Sequence, residues 1–155
     1  MDVFEIKAIG HVRGGRDEPE DDSWADSIAE IELDSTQFNL QALLGLDQFS
    51  HAEIVFVFDQ MGPDDITYDV RHPRGRADWP KVGIFAQRGR NRPNRIGVSV
   101  CRIVQVSDLT LRVQGLDAIA GTPVLDIKPV MTGFLPRGEI KEPRWAREIM
   151  ERYWR

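Results

Sequence analysis

The segment from residue 95 to residue 115 has the pattern of a β-hairpin. Residues 95–106 and 109–115 are rich in β-forming side chains, and the dipeptide Ser107-Asp108 between them is typical of a turn. Further strands are predicted at residues 4–12, 27–33, 52–58, 82–86 and 124–129. Because these strands follow one another without alternating helices, the sequence predicts a mainly β fold, an antiparallel single-sheet β-barrel.

Two helices are predicted beside the strands. Residues 36–46 carry apolar side chains at an approximately helical spacing, with Gly45 as a stop, which predicts one short internal helix. In the tail from residue 143, Trp145, Ile149 and Tyr153 recur at four-residue spacing, which predicts a C-terminal helix with an apolar face. We expect this face to cap the core, with a subunit contact or a substrate lid as the alternatives.

The bulk properties are those of one globular domain, predicted over residues 1–155. Its hydrophobic content of 41% is ordinary for such a chain, and the single cysteine, Cys101, excludes an intrachain disulfide. The N-terminus lacks the basic flank and apolar core of a signal peptide, and no apolar run is long enough to cross a membrane. We therefore expect a cytoplasmic protein without a membrane partner. No cysteines or histidines stand at ligand spacing, so no metal site is predicted.

Positive charge is concentrated in residues 71–95, which are called the basic segment below. This segment holds eight of the twenty Lys and Arg residues and one acidic residue, Asp78, so its charge is 8 − 1 = +7. The whole chain has a formal charge of −5, which leaves −12 elsewhere. Guanidinium groups suit phosphate and carboxylate oxygens, so the segment is a candidate anion site. A solvated arginine-rich face is the alternative.

Three motifs give the chain a resemblance to a known family. They are Gly-x-Phe-Ala-x-Arg, then Arg-Pro-Asn-x-Ile-Gly-x-Ser, then Gly-Thr-Pro-Val-Leu-Asp-Ile-Lys-Pro, and they fall on Gly83 to Arg88, Arg92 to Ser99 and Gly121 to Pro129. The chain thus resembles the S-adenosylmethionine-dependent methyltransferases typified by the tRNA threonylcarbamoyladenosine methyltransferase. Fainter similarity extends over most of the sequence from Ile9. The resemblance implies a short form, without the further C-terminal domain of the archetypal tRNA enzymes.

The resemblance implies S-adenosylmethionine as the cofactor and supplies candidate residues for it. Arg88 would lie against its carboxylate or ribose and Val98 would cover its adenine, whereas its pocket and polar edge would involve Asp59, Gln60, Asp117, Ala118, Ile119 and Ala120. The residues by themselves support only Arg88, as an anion partner, and Asp117, as a loop carboxylate. Trp24 could stack on adenine or a sulfonium, or fold back to cover the core.

The sequence departs from the family pattern at three places. The loop around Trp24 lacks the Pro-Arg-Gln run with which better-known members contact the cofactor. Asp59 stands where a histidine is usual, and Ala120 stands where an acid usually precedes Gly-Thr-Pro. The polar contact of that acid is therefore expected to be lost or moved to Asp117.

The rest of the basic segment remains for the methyl acceptor, which the resemblance implies is tRNA. The candidate residues for its phosphates are Arg71, Arg74, Arg90, Arg92 and Asn94, although the run from Arg92 to Asn94 could instead build the loop. Trp79 could stack on a splayed base or pack beside Pro80. The resemblance also implies a homodimer. Catalytic side chains are not identifiable, because methyl transfer depends chiefly on positioning.

Three functions remain open from the sequence. The first is a methyltransferase that acts on threonylcarbamoyladenosine in the tRNA anticodon loop. The second uses the same methyl donor on a small anionic metabolite. The third is a non-catalytic RNA-binding barrel whose basic loops hold phosphates, which would bind RNA in a salt-dependent way and would not bind S-adenosylmethionine.

Overall fold

The computed structural model describes residues 1–155 and consists of eight β-strands and one α-helix. The helix, α1, spans Arg144–Met150. The strands are β1 (Gly10–Arg13), β2 (Ile28–Leu33), β3 (His51–Val57), β4 (Val70–Arg71), β5 (Val82–Gly83), β6 (Ile96–Ser107), β7 (Thr110–Gln114) and β8 (Pro123–Pro129). None of its helices has the length and apolar character needed to cross a membrane.

Six of the strands close into an antiparallel barrel in the order β1-β2-β7-β6-β3-β8, and β1 pairs back onto β8. This confirms the predicted single-sheet barrel and the hairpin, in which β6 and β7 pair from Ser107↔Thr110 onward. Strands β4 and β5 form a separate two-stranded sheet, which begins one residue before the basic segment. The barrel thus carries a small second sheet at the point where the sequence is most positive.

Alternation along the strands builds the core. In β2, Ala29, Ile31 and Leu33 are buried whereas the residues between them are exposed, because successive side chains of a strand point to opposite faces. Buried positions on the other barrel strands complete one cluster of 14 residues, together with three residues from the connections, Leu43, Leu116 and Ala118. Gly97 on β6 lies so close to the Phe56 ring that an added Cβ would stand 2.5 Å from it. The absence of a side chain there lets the aromatic rings fill the barrel.

The register sorts the connections onto two ends of the barrel. The pairs Ile28↔Gln114, Val57↔Ile96 and His11↔Pro123 lie at one end. The long connections 14–27, 58–95 and 115–122 all leave from this end, which is called the loop end below. The other end carries residues 34–50 and the tight turn between β6 and β7, and is called the turn end. The loop end therefore carries more of the connecting chain between strands than the turn end does.

Three predicted elements differ from the structure. The first strand begins at Gly10 rather than Phe4, because its partner β2 ends at Leu33, opposite Gly10, and residues 4–8 have no strand beside them. The strand predicted at residues 82–86 is limited to Val82–Gly83, because its partner β4 has two residues and the chain then turns into a 3-10 helix, Ile84–Ala86.

The predicted internal helix over residues 36–46 takes the form of successive turns that lead into a 3-10 helix, Leu46–Gln48. Side chains compete with the helical backbone here. Asp34 accepts a hydrogen bond from the Thr36 amide at 2.9 Å, and Asn39 accepts one from the Gln41 amide at 3.0 Å. Such local bonds favour turns over a regular helix. The apolar spacing still has its effect, because Leu43 is buried in the core.

Candidate functional site

The loop end brings together the predicted site residues. Residue 24 lies in the connection 14–27, residues 59–94 lie in the connection 58–95, and residues 117–120 lie in the connection 115–122. Val98 is near the same end of β6, opposite Val55 of β3. Segments that are distant in the sequence therefore meet at one end of the barrel, and this arrangement defines the candidate site.

Arg88 is exposed and directed along β6. Its guanidinium donates a hydrogen bond to the Val98 carbonyl oxygen at 3.0 Å, and it forms no ion pair with a carboxylate. The contact places a full positive charge beside a half-buried apolar residue. A guanidinium that is tethered at one nitrogen keeps donors for an anionic group.

Asp117 has one carboxylate oxygen in use and one without a partner. Its Oδ2 accepts a hydrogen bond from the Tyr153 hydroxyl, whereas Oδ1 is buried and has no hydrogen-bond partner. Burial, followed by the charge of Asp117 and this hydrogen bond, raises the pKa of Tyr153, against the opposing charges of Arg74 and Arg88. The hydroxyl therefore stays protonated as a donor. An unsatisfied buried carboxylate oxygen is costly, so Oδ1 is suited to a ligand donor.

The rest of the loop after Asp117 is fixed by backbone contacts. Ala118 is 6% exposed, and the Ala120 amide donates to the Arg16 carbonyl oxygen at 2.8 Å. The Thr122 hydroxyl donates to the Ile119 carbonyl oxygen at 2.7 Å. Ala120 offers no side-chain acceptor, so Asp117 is the carboxylate that this loop supplies. Asp59 and Gln60 follow β3 at the same end and are exposed.

Trp24 is buried, and both its ring and its indole N–H contact other residues of the protein. It is 3% exposed, its indole nitrogen donates to the Glu20 carbonyl oxygen at 3.0 Å, and the Arg16 guanidinium lies 4.2 Å from its ring centre. This arrangement favours the interpretation in which the ring covers the core, because one ring face is already occupied by a cation. Stacking of this ring on the cofactor would require the loop to rearrange.

The arginines of the basic segment fall into two groups. Arg74 pairs with Asp22 at 3.0 Å and Arg76 pairs with Asp78 at 2.5 Å. Arg71, Arg88, Arg90, Arg92 and Arg95 form no ion pair with a carboxylate. The acceptor role predicted for Arg74 is therefore compromised by its carboxylate partner, whereas three of the predicted phosphate residues remain unpaired. Those three are Arg71, Arg90 and Arg92.

Two residues of the predicted acceptor set also shape the loop. Arg92 donates to the Gln87 carbonyl oxygen at 2.7 Å, and Asn94 has a left-handed backbone with a φ of 62°. Asn tolerates this conformation better than most residues with a side chain. The loop-building interpretation is thus supported for Asn94, which lies in the turn that leads into β6.

Trp79 is packed rather than displayed. It is 6% exposed, its indole nitrogen donates to Glu148 of α1 at 2.9 Å, and the Arg76 guanidinium covers its ring at 4.2 Å. Trp79 cannot stack on a base in this conformation, because its ring is covered and its indole N–H is already bonded to Glu148. The packing interpretation is the one that the structure supports.

The sequence offers a substrate lid only as an alternative for the C-terminal tail and does not predict its contact with Asp117. The amides of Ser23 and Trp24 donate to the carbonyl oxygens of Arg152 and Tyr153, at 3.0 and 2.9 Å. Together with the bond from Tyr153 to Asp117, these contacts hold the tail against the loop end. The apolar spacing around Tyr153 indicated a buried face, but only the fold shows which carboxylate the hydroxyl meets.

Further polar side-chain contacts lie on the barrel strands β3 and β8. Asp126 and Lys128 on β8 pair with each other, and His51 contacts the Ser50 hydroxyl oxygen at 2.7 Å at the turn end. Two cavities of about 380 and 490 Å³ also lie outside the site, and none of the predicted cofactor residues lines them. No group of three or more His, Cys, Asp or Glu side chains is arranged to hold a metal ion.

Comparison with known proteins gives the family of the barrel. The tRNA-methyltransferase O N-terminal domain matches residues 13–134. The chain belongs to this family. The matched range includes every predicted site residue from Trp24 to Ala120 and ends before α1, so the tail that contacts Asp117 lies outside the region that defines the family.

Individual relatives agree with this family. A human "tRNA (adenine(37)-N6)-methyltransferase" is 38% identical over 102 residues, which are 66% of this chain and 23% of the human protein. A Pseudomonas aeruginosa protein named "Putative S-adenosylmethionine-dependent methyltransferase RcsF" is 43% identical over 90 residues, 58% of this chain and 38% of that protein. The crystal structure of TrmO from P. aeruginosa matches with a TM-score of 0.75 at 27% identity, covering 94% of this chain and 62% of that chain. The chain thus spans less than two thirds of each relative.

Proposed function

We propose that this protein is an S-adenosylmethionine-dependent methyltransferase that acts on tRNA. One observation carries the proposal: the family motifs converge at the loop end, where Arg88 has no carboxylate partner and Asp117 presents a buried oxygen without a hydrogen-bond partner. The names of the human and P. aeruginosa relatives support the same reaction class. The finer acceptor that we propose is threonylcarbamoyladenosine in the anticodon loop.

The residues at the loop end fit such a cofactor. When bound, S-adenosylmethionine supplies a methyl group on a sulfonium, which a nucleophile with a free lone pair can accept. Arg88 would hold its carboxylate, Val98 would cover its adenine, and Asp117 Oδ1 would accept from one of its hydroxyl or amino groups. Ala118, Ile119 and Ala120 would line its polar edge, with Asp59 and Gln60 at the rim.

The chain contributes mainly position and charge to the proposed reaction. Holding the acceptor nitrogen in line with the methyl group lowers the barrier, by up to about 7–11 kcal/mol for well-oriented reactants. Arg71, Arg90 and Arg92 would bind the phosphates that flank the acceptor, because their guanidinium groups have no carboxylate partner. No side chain is assigned as a base, and the methylated nitrogen would release its proton to water.

A labelled-donor experiment tests the reaction. S-adenosylmethionine with an isotopically labelled methyl group is incubated with the protein and with tRNA that does or does not carry threonylcarbamoyladenosine. Label is expected in the modified tRNA alone. Label in both tRNAs would exclude the finer acceptor, and cofactor binding without label in RNA would favour a small anionic metabolite. RNA binding without cofactor binding would favour the non-catalytic barrel.

The variant Arg88→Ala tests the assignment of the cofactor site. A hydrogen bond to a charged group contributes about 1.5–3 kcal/mol, so the variant is expected to bind S-adenosylmethionine roughly 10- to 100-fold more weakly in calorimetry. Arg102→Ala is the matched control, because Arg102 is an exposed arginine on β6 opposite His51 at the turn end. Equal affinities for the two variants would remove Arg88 from the site.

The homodimer and the cytoplasmic location are part of the proposal. Val100 and Val104, on the outer face of β6, are 53% and 47% exposed, which leaves apolar surface for a second copy. We also propose that residues 1–155 act as one domain. Sedimentation equilibrium tests the dimer, and a single cooperative unfolding transition tests the single domain. A monomer at all concentrations would contradict the dimer.

A further inference from the structure

Two aromatic side chains at the loop end are displayed to solvent. Tyr68 is 77% exposed and Phe85 is 75% exposed, whereas Trp79 between them in the sequence is 6% exposed. An aromatic ring offers a large flat surface for stacking, and contiguous apolar surface rimmed by polar groups often marks an interaction site. Trp24 and Trp79, for which stacking on a ligand was one of two alternatives, are buried, so Tyr68 and Phe85 are the rings available for stacking here.

The small sheet brings the backbones of Tyr68 and Phe85 to neighbouring positions. Val70 pairs with Gly83 and Arg71 pairs with Val82, and the Ile84 amide donates to the Asp69 carbonyl oxygen at 2.8 Å. Tyr68 and Phe85 are the next positions on each side, so they flank the end of the same pairing. The Gln87 side chain bonds the carbonyl oxygens of Arg71 and Val82, both at 3.0 Å, which ties the two segments together.

Charged side chains of both signs lie near this pair, and the arginines among them have no carboxylate partner. The Thr67 amide donates to the Asn91 carbonyl oxygen at 3.0 Å, which brings the loop between Arg90 and Arg92 beside Tyr68. Asp64, Asp65 and Asp69 are the nearby carboxylates in the sequence, and Asp65 accepts from the Gly62 amide at 3.0 Å. None of the three pairs with an arginine. Arg90 and Arg92 can therefore meet phosphates on the Asn91 side of Tyr68, while the rings offer flat apolar faces to bases.

We propose that Tyr68 and Phe85 form a stacking platform for unpaired bases of single-stranded RNA, with Arg90 and Arg92 contacting the adjoining phosphates. The proposal deepens the proposed function, on which the identity of the RNA as tRNA rests. Stacking on aromatic rings tolerates any base, since every base has a π face. The bases of a duplex are stacked inside it, so the two rings cannot stack on them and only the phosphate contacts remain.

The test measures RNA binding by fluorescence anisotropy. The probes are a labelled single-stranded heptaribonucleotide and a labelled RNA duplex, each titrated at several salt concentrations. The variants Phe85→Leu and Tyr68→Leu keep an apolar side chain but remove the ring. Each is expected to bind the single strand about 5- to 100-fold more weakly, with unchanged duplex affinity and an unchanged salt slope.

Two further variants complete the design. Arg90→Ala is expected to weaken both probes and to lower the salt slope by about 0.7 for the single strand. Phe134→Leu is the matched control, because Phe134 is 88% exposed and follows β8, whose last residues lie at the turn end. All the substituted side chains are exposed, so circular dichroism is expected to show an intact fold.

The outcomes separate this proposal from the proposed function. If the wild type transfers methyl groups to tRNA while the ring variants bind the single strand as the wild type does, the platform is wrong and the methyltransferase stands. If the wild type binds no RNA, the tRNA substrate itself fails. If the ring variants change the sedimentation behaviour and leave RNA affinity unchanged, the rings belong to a contact between copies, and the platform is again overturned.

Discussion

The connections at the two ends of the barrel differ in whether their polar groups have partners. At the turn end, residues 34–50 pack Leu43 into the core, and hydrogen bonds, first from Gln37 and then from Thr36, lower the pKa of the Asp34 carboxyl. At the loop end, the connection 58–95 carries arginines without carboxylate partners, and the connection 115–122 carries one buried carboxylate oxygen without a donor.

The two ends differ in how many polar groups of their connections are hydrogen-bonded or ion-paired within the protein. A loop that satisfies its own polar groups stabilises the fold and leaves little for a ligand. Unsatisfied groups of fixed position cost stability, and they are tolerated where binding later satisfies them. We therefore expect changes at the turn end to alter stability alone, and changes at the loop end to alter binding.

The largest effect is expected from Leu43→Ala at the turn end. Leu43 is 6% exposed within the core cluster, and the loss of a buried leucine costs about 2–5 kcal/mol in the free energy of unfolding. Its neighbour Leu44 is 83% exposed, so Leu44→Ala is the matched control and should unfold as the wild type does. Urea denaturation measures both. A large loss of cofactor affinity in folded Leu43→Ala would contradict the division between the ends.

A smaller loss of stability is expected from Gly97→Ala beneath the loop end. The new Cβ would stand 2.5–2.9 Å from ring atoms of Phe56 and Phe58, and such overpacking costs about 1–3 kcal/mol. Gly83→Ala is the control, because a Cβ at Gly83 meets no atom within 4 Å. Thermal unfolding compares the two variants. Equal melting temperatures would mean that the rings move aside without cost.

The variant Tyr153→Phe tests whether the C-terminal tail orients Asp117. The variant keeps the ring and removes the donor to Asp117, so the free energy of unfolding is expected to fall by about 1–2 kcal/mol. If the hydroxyl orients Asp117 for the cofactor, calorimetry should also show weaker binding of S-adenosylmethionine. Stronger binding would instead show that the tail competes with the cofactor for this carboxylate.

The interior between the two ends gives a pH-dependent effect. Burial raises the pKa of the Cys101 thiol from 9.0 to about 12. The unfolded chain therefore loses this proton first, and the free energy of unfolding should decrease as the pH rises above 9, by up to about 1.4 kcal/mol per pH unit. Cys101→Ala should have a shallower slope between pH 9 and 10. Identical slopes would mean that the thiol ionises equally in both states.

The weakest effect is expected where α1 meets the basic segment. The hydrogen bond from Trp79, followed by that from Arg144, lowers the pKa of the Glu148 carboxyl from 4.5. The contact thus stabilises the protein fully above pH 4.5 and is lost as the pH falls through the folded pKa. Hydrogen exchange of α1 should increase in that range. The variant Glu148→Gln should lack this pH dependence, and an unchanged dependence would assign it to another group.

The sequence predicted the barrel because alternation and turns are local signals. The pattern of β2 and the turn between β6 and β7 each involve neighbouring residues, and both appear as predicted. The start of β1 was missed because it depends on where β2 ends, which is a matter of pairing between distant segments. The turns at residues 36–46 were missed because side chains of Asp34 and Asn39 replaced helical hydrogen bonds.

The sequence by itself determined the strand pattern, the concentration of arginines and the motifs of the family. Only the tertiary structure decided which charges remain unpaired, since Arg74 meets Asp22 across 52 residues and Arg90 meets no carboxylate. The tertiary structure also decided that Trp79 is buried and that Phe85 is exposed. Ion pairs and burial depend on contacts between segments far apart in the chain, and the closure of the barrel is what brings those segments to one end.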